Sequence, residues 1–452
     1  MNIVIAGGGK IGTTAIENLL AEGHDITVIE KDEKALENIT NIFDVMGVCG
    51  NGADCETLEE AGIDSAELFI ATMGSDELNM LSCFLARKMG AHHTIARIRA
   101  PEYNDQSLGF MKHHLNLSMA INPDFLAAQE LFNILKLPSA IKIETFSRGH
   151  FEMIQFPLKA DSKLDGLALR ELRENHKAKV LICAVMRGDE VYVPDGNFVL
   201  KSGDIIGVMA RPQEIEKFLK DLGTLKKQAK DVIILGGSRT AFYLAKMLTK
   251  IGNTPKIIEL DPKRCHELCE ELPKAVIING DGAEQELLKE EGIANADAFV
   301  SLTGMDEENI LISIFASKQN VPKVITKINR REMAMMAEGL GLDCIVSPQD
   351  TVKNILLRYA RALENSLGSN VETLYKIMDG KAEALEFKVS RESAAVGVPL
   401  KDLNFKKNII IAGIIRGRKT LIPGGDDAIL EGDKVVIFAA NQRLHDLDDI
   451  LM

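Results

Sequence analysis

The stretch IVIAGGGKIGTTAIENLLAEGHDITVIEKD, residues 3–32, decides the fold. It opens on a run of β-branched and small apolar residues and breaks at three glycines. It continues as KIGTTAIENLLAE, whose apolar positions follow the 3.6-residue helical period. DITVIE then reads as a second strand. Strand, glycine loop, helix and strand open a βαβ unit, and Gly7-Gly8-Gly9-Lys10-Ile11-Gly12 places G-x-G-x-x-G at its turn. Gly7 permits the tight turn, Gly9 lets the backbone approach a pyrophosphate, and Gly12 lets the helix pack on the strand. The helix N-terminus offers unpaired N–H groups and partial positive charge to phosphates. Glu30, 18 residues beyond Gly12, stands where a carboxylate takes the adenosine ribose hydroxyls. Its charge would repel a 2′-phosphate, so the pattern favours NAD(H) over NADP(H). The plainer alternative, a tight strand–helix turn and nothing more, leaves that carboxylate unexplained.

Further strands are expected near 45–49, 67–72 and 93–98, with helices between them and a last helix near 123–136. Such alternation implies a parallel sheet covered on both faces. Ligands of these sheets sit at the carboxyl ends of the strands, at the switch point. Met73 and Gly74, after the fourth strand, should border the ligand, Met73 against the adenine or ribose. Arg97, closing the fifth strand, can supply a cation to the phosphates; its alternative is an ion pair with Asp54 or Glu77.

The same text is then written again. VIILGGSRTAFYLAKMLTKIGNTPKIIELD, 232–261, repeats residues 3–32 at an offset of 229. GNGADCETLEEAGI from Gly50 returns as GDGAEQELLKEEGI from Gly280, and Asp76, Glu77 and Asn79 return as Asp306, Glu307 and Asn309. A second, strand-rich segment also recurs. Arg187-Gly188, Pro194, Gly196 and Gly203-Asp204 reappear as Arg416-Gly417, Pro423, Gly425 and Gly432-Asp433. The chain therefore divides into units at 1–136, 137–223, 231–360 and 370–452, with the polar stretch LKKQAKD, 225–231, between the halves. The fold class is α/β: two Rossmann-like doubly wound parallel-sheet domains, each followed by a small α+β domain.

The second loop is a second candidate site with a changed chemistry: Gly236, Gly237, Ser238, Arg239 and Thr240, followed by Ala241. Ser238 puts a side chain where Gly9 has none, and Lys327 replaces Arg97, while Glu259 keeps the carboxylate. That crevice could bind a nucleotide weakly, bind something else, or be empty.

Composition narrows the function. The 452 residues carry a net charge of −13 and a pI near 5.3, which repels phosphate backbones and argues against nucleic acid. The longest apolar tract, Ile409–Ile415, has seven residues, too short to span a bilayer. No secretory signal is expected at the N-terminus. Seven scattered cysteines fit a reducing compartment. Cys265 and Cys269 share a helix face but lack partner ligands, so no metal is expected. His92-His93 and His113-His114 read as loop or surface residues, and Met333, Met335 and Met336 as adaptable packing or an interface. The helix after Pro123 offers Phe125, Leu126, Leu131, Phe132 and Leu135 as an apolar face beyond its own sheet, suited to oligomerisation. No catalytic constellation is visible, and a dehydrogenase would need a substrate domain with an acid or base.

The ordered set of glycine loop, GNGADCETLEEAGI, ATMGSDELNM (71–80), IARIR (95–99) and small C-terminal module resembles the RCK or KTN family of regulators of potassium conductance. The tandem N-C-N-C order, covering nearly the whole chain, resembles the regulatory subunits of Trk potassium uptake systems. The resemblance implies RCK N-type and C-type domains in alternation. It implies NAD(H) bound at Gly7, Gly8, Gly9, Lys10, Ile11, Gly12, Glu30, Met73, Gly74 and Arg97, with ATP or ADP as further candidate ligands. It also implies a homotetrameric ring, cytoplasmic and peripheral on the inner face of the membrane, docked on a membrane-embedded TrkH/TrkG-like potassium transporter. A nucleotide favouring one ring shape would shift the opening of the attached pore without turnover. The competing expectations are a soluble NAD-dependent dehydrogenase and a nucleotide sensor acting on a soluble enzyme.

Overall fold

The computed structural model describes the whole chain apart from residues 104, 176–178, 366–370, 379, 441, 443 and 445. The boundary expected at 370 lies outside the described residues.

Six parallel strands form the first sheet: β1 (Asn2–Ala6), β2 (Asp25–Glu30), β3 (Met46–Cys49), β4 (Leu68–Ala71), β5 (His93–Arg97) and β6 (Met119–Ile121). Their order is β3-β2-β1-β4-β5-β6. The central strands are uninterrupted apolar runs because helices cover both faces. The order reverses between β1 and β4, which opens a crevice at their carboxyl ends.

An antiparallel sheet follows, made of β7 (Lys142–Phe146), β8 (Phe151–Pro157), β9 (Leu181–Arg187), β10 (Glu190–Tyr192) and β11 (Ile205–Ala210), in the order β10-β9-β11-β8-β7. The plan then repeats. β12 (Val232–Leu235), β13 (Lys256–Glu259), β14 (Val276–Asn279), β15 (Ala298–Ser301), β16 (Lys323–Lys327) and β17 (Ile345–Val346) build a second parallel sheet of the same order. β18 (Val371–Ile377), β19 (Ala382–Lys388), β20 (Ile409–Arg416), β21 (Lys419–Leu421) and β22 (Lys434–Ala440) build the last, antiparallel one.

The recurrent Arg-Gly and Gly-Asp pairs now have a structural reason. Arg187 forks onto Asp204, Nε to Oδ1 at 2.7 Å and Nη2 to Oδ2 at 2.8 Å, and also donates to the Val199 carbonyl. Arg416 does the same to Asp433 and the Ala428 carbonyl. Each fork ties a strand to the turn that precedes its neighbour, and both aspartates are buried.

The units pair across the halves. The helix Pro123–Lys136 starts on an Asn122 cap that accepts the Phe125 N–H, with proline at its first position. Its face of Ala127, Ala128, Leu131, Ile134 and Leu135 is fully buried in the core of the second parallel sheet, against Phe242, Leu244 and Ala245. The helix Pro348–Asn365 reciprocates, burying Val352, Leu356, Leu357 and Ala360 in the core of the first. The apolar face expected to serve oligomerisation is thus occupied within the chain. Leu126 packs in the first core, Phe132 packs partly buried against the second, and Phe125 meets the Tyr243 ring edge-on at 5.5 Å. The two antiparallel sheets likewise share one core: Phe146, Phe151 and Met209 of one against Met378, Ala412 and Phe438 of the other.

Candidate functional site

The first crevice is lined as its local sequence demands. Gly7 sits at φ +102°, and a Cβ there would stand 2.9 Å from the Met73 nitrogen. A Cβ on Gly12 would stand 1.9 Å from the Gly7 carbonyl oxygen, so the helix Lys10–Ala21 lies directly on the loop. Gly9 differs from both, because a Cβ there would meet nothing within 4 Å. Its lack of a side chain answers to no protein neighbour and leaves room for a ligand. Gly9 is also the N-cap and gives the helix no side-chain cap. The first-turn N–H groups therefore face the crevice without a side-chain acceptor.

Glu30 closes the opposite wall, at the end of β2. Its Oε2 accepts the Gly8 N–H at 2.7 Å, and its Oε1 accepts from Lys31 and Asp32 at 2.9 and 3.1 Å. The carboxylate thus holds the glycine loop in place as well as facing the expected ribose position.

Past β4, the Thr72 hydroxyl donates to the Gly7 carbonyl at 2.9 Å, locking strand end to loop. Met73 packs over Gly52, whose added Cβ would stand 3.0 Å from the Met73 sulfur; nothing crowds Gly74. Arg97 pairs with neither Asp54 nor Glu77. Asp54 caps the helix Cys55–Glu60, and Glu77 bonds Ser75 and Tyr103. Arg97 instead donates from Nη2 to the Met73 carbonyl, while its buried Nε has no partner among the described residues. Burial, together with Arg99, brings the guanidinium down to about 10, so it stays charged at neutral pH.

Asn79 organises this end of the crevice. It is fully buried, accepts the Met73 N–H at 2.7 Å and donates to the carbonyls of Met73 and Arg97. Its recurrence as Asn309, bonded alike to Thr303 and Lys327, was the signal in the sequence. Asp76 accepts the N–H groups of Arg99 and Ala100, both at 2.8 Å, fixing the loop after β5.

The second crevice is a cavity of about 310 Å³ beside Gly236, Gly237, Ser238, Glu259 and Asp281. Ser238 turns its hydroxyl onto its own helix and accepts the Ala241 N–H at 3.3 Å. The side chain therefore consumes a first-turn donor that the first crevice leaves open, instead of pushing outward as its position alone suggests. Leu235 replaces Ala6 at the end of the first strand and reaches the spot where Gly282 has no Cβ, 1.8 Å from it. Glu259 holds Gly237 and Asp261 as Glu30 holds its loop. Thr240 bonds Asp124 of the exchanged helix at 3.0 Å. Lys327 is buried, its amine brought down by burial, and it donates to the Leu302 carbonyl at 3.3 Å. Arg239 opens the helix. Arg264, which sequence reasoning missed, reaches over the loop to the Gly237 carbonyl at 2.8 Å. Its first-half counterpart is Ala35.

Elsewhere, among the described residues no three His, Cys, Asp or Glu side chains converge as a metal cluster. Cys265 is buried and Cys269 exposed. His93 is not a loop residue: it opens β5, half-buried, with Nδ1 3.2 Å from the Tyr359 hydroxyl. Met335 and Met336 are exposed, and Met333 packs on a small core with Ile310 and Ile328. No helix among the described residues is long and apolar enough to cross a membrane.

The TrkA-N domain model matches residues 3–113 and 232–348, and the TrkA-C domain model matches 153–223 and 384–452. The Trk system potassium uptake protein TrkA homolog of Archaeoglobus fulgidus is 33% identical over 450 residues, covering 100% of both chains. The Trk system potassium uptake protein TrkA of Haemophilus influenzae is 31% identical over 98% of this chain and 96% of that one. Among solved structures, the GsuK RCK domain superposes with a TM-score of 0.65 at 17% identity, covering 97% of this chain and 92% of that one. A GsuK channel bound to NAD gives 0.64 at 16%, covering 97% and 77%.

Proposed function

Because the chain belongs to the family of tandem TrkA-N and TrkA-C proteins, we propose that it is a regulatory subunit of a Trk-type potassium uptake system. In this reading it is no enzyme. It binds NAD(H) in the first crevice and gates a membrane-embedded TrkH/TrkG-like transporter from the cytoplasmic face, assembled as a homotetrameric ring. The observation that carries the nucleotide assignment is the uncapped helix start at Gly9, open above and flanked by Glu30. Pyrophosphate would meet the first-turn N–H groups of Lys10, Ile11 and Gly12, and the Arg97 guanidinium would add positive charge behind Met73. The ribose hydroxyls would meet Glu30, which already orders the loop that must stay still.

Regulation then needs only differential affinity. A nucleotide that prefers one arrangement of the paired units by about 1–3 kcal/mol shifts pore opening by roughly 5- to 150-fold. The exchanged helices supply a rigid route, since a change at either crevice acts on a helix rooted in the other unit's core. The test is potassium flux through the reconstituted transporter with this chain added, titrated with NADH and NAD. Flux indifferent to the chain or to both nucleotides overturns the reading, as does catalytic turnover of NADH with carbonyl substrates.

A further inference from the structure

A chamber of about 720 Å³ lies where both exchanged helices, the first antiparallel sheet and the second parallel-sheet unit meet. Such a volume is typical of small-molecule sites. Its walls mix apolar side chains with several charged and amide groups. Lys142 on β7 and Gln155 on β8 are direct cross-strand partners and so share one face, and Glu144 lies two residues along on that same face. Across from them stand Glu130 of the first exchanged helix and Arg358 of the second.

One donor in this wall is orphaned. Gln155 is only 3% exposed, and its Nε2 has no partner among the described residues. A buried amide left so is costly unless something else completes it. The corresponding positions of the other half are not in that state. The strand register pairs Gln155 with Gly207 and Glu386 with Val436, so Glu386 is the counterpart of Gln155. Its carboxylate accepts the Ser147 N–H at 2.7 Å and the Tyr375 hydroxyl at 3.4 Å. Glu130, eighth in a helix that begins at Pro123, corresponds to apolar Ile355 in the helix that begins at Pro348. The counterpart positions in the other half thus carry neither the orphaned amide nor the second helix carboxylate.

The lining specifies an occupant. Glu130 and Glu144, with Glu338, Asp343 and Asp350 nearer the second unit, outnumber Lys142 and Arg358, so net positive charge is favoured. Burial pushes the carboxyl groups of Glu130 and Glu144 above their ordinary values against the pull of Lys142; a cationic group beside them would reverse that. The Gln155 amide asks instead for an acceptor, and the Arg358 guanidinium, 4.9 Å over the Tyr375 ring, lines the same chamber with positive charge for that acceptor. A bare metal ion answers the first demand but accepts no hydrogen bond, and no metal cluster converges among the described residues. We propose that this chamber binds a basic amino acid, with its cationic groups at Glu130 and Glu144 and its carboxylate at Gln155 and Arg358. Sited between both exchanged helices and the first antiparallel sheet, the ligand would bear on how these parts pack.

Calorimetry on the full chain tests this with L-lysine and L-arginine, and with cadaverine and L-glutamate for comparison. Saturable binding of L-lysine or L-arginine at one per chain is expected, at least tenfold tighter than cadaverine or L-glutamate. Glu130→Gln with Glu144→Gln should weaken it at least tenfold, and Gln155→Met should weaken L-lysine while sparing cadaverine; circular dichroism and a cooperative melt establish that each variant is folded. Absence of saturable binding, affinity unchanged in the variants, or cadaverine matching L-lysine overturns the proposal.

Discussion

Gly9 and Ser238 occupy the same position in two copies of one loop and do opposite things. The glycine leaves the helix start bare, whereas the serine caps it. Gly9→Ser should therefore install a cap where phosphate is expected and remove most high-affinity NADH binding, while Ser238→Gly leaves that binding intact. Calorimetry should find one tight site per chain; two equivalent sites would show that the lost glycine carries no cost. Glu30→Ala should weaken NADH by roughly 1–3 kcal/mol, the worth of charge-assisted hydrogen bonds. Because Glu30 also holds Gly8, Lys31 and Asp32, the variant should also loosen the loop, read as faster amide exchange at Gly8. The chain has no Trp, so NADH fluorescence can be followed with little intrinsic interference. The glycines and Glu30 were legible in the sequence because their roles are set by backbone geometry within one βαβ unit. The inward turn of Ser238, the reach of Arg264 and the hold of Arg97 on Met73 were not. Each depends on a rotamer that only the packed neighbourhood selects.

At the scale of the element, the exchanged helices show how far periodicity reaches. The apolar face of the helix after Pro123 was readable. What the face meets was not, because a hydrophobic stripe demands burial without naming a partner. The structure supplies that partner from further down the chain, in the second parallel-sheet unit, and repays it with the helix Pro348–Asn365. Leu131 is fully buried in the other unit's core, so Leu131→Ala should cost roughly 2–5 kcal/mol. The loss should fall on the second parallel-sheet unit although the mutation lies in the first half. Hydrogen exchange resolved by residue checks this: protection should drop along β12 and β15 as much as around residue 131.

Across the molecule, a buried ion-pair network joins the first unit to the last. Arg361 bonds Glu22 and Glu383, and Lys376 reaches Glu22 at 3.0 Å. Removing Arg361 leaves two carboxylates short of a buried partner, so Arg361→Ala should cost roughly 3–5 kcal/mol. Burial alone would raise the Glu22 carboxyl, but Arg361 and Lys376 outweigh it and hold the group below its ordinary 4.5. With the folded value below the unfolded one, this stabilisation is present above pH 4.5 and is lost as pH falls through the folded value. Urea midpoints should therefore fall more steeply in the parent chain than in Glu22→Gln as pH drops below 4.5. Light scattering should give a tetramer of the 49.6 kDa chain; a monomer at every concentration and ligand state removes the ring.

The covalent link between the two halves has an evolutionary corollary. In a homodimer one gene writes both crevices, so every substitution arrives twice and the two sites must stay alike. Here each crevice has its own codons, and Ser238, Leu235 and Arg264 could accumulate without disturbing Gly9, Ala6 and Ala35. Any assembly of these chains must then hold the two kinds of crevice in equal number, whatever the level of expression. A fused duplication of this kind can weigh two different signals in a fixed ratio, whereas a mixture of separate subunits would leave that ratio to chance.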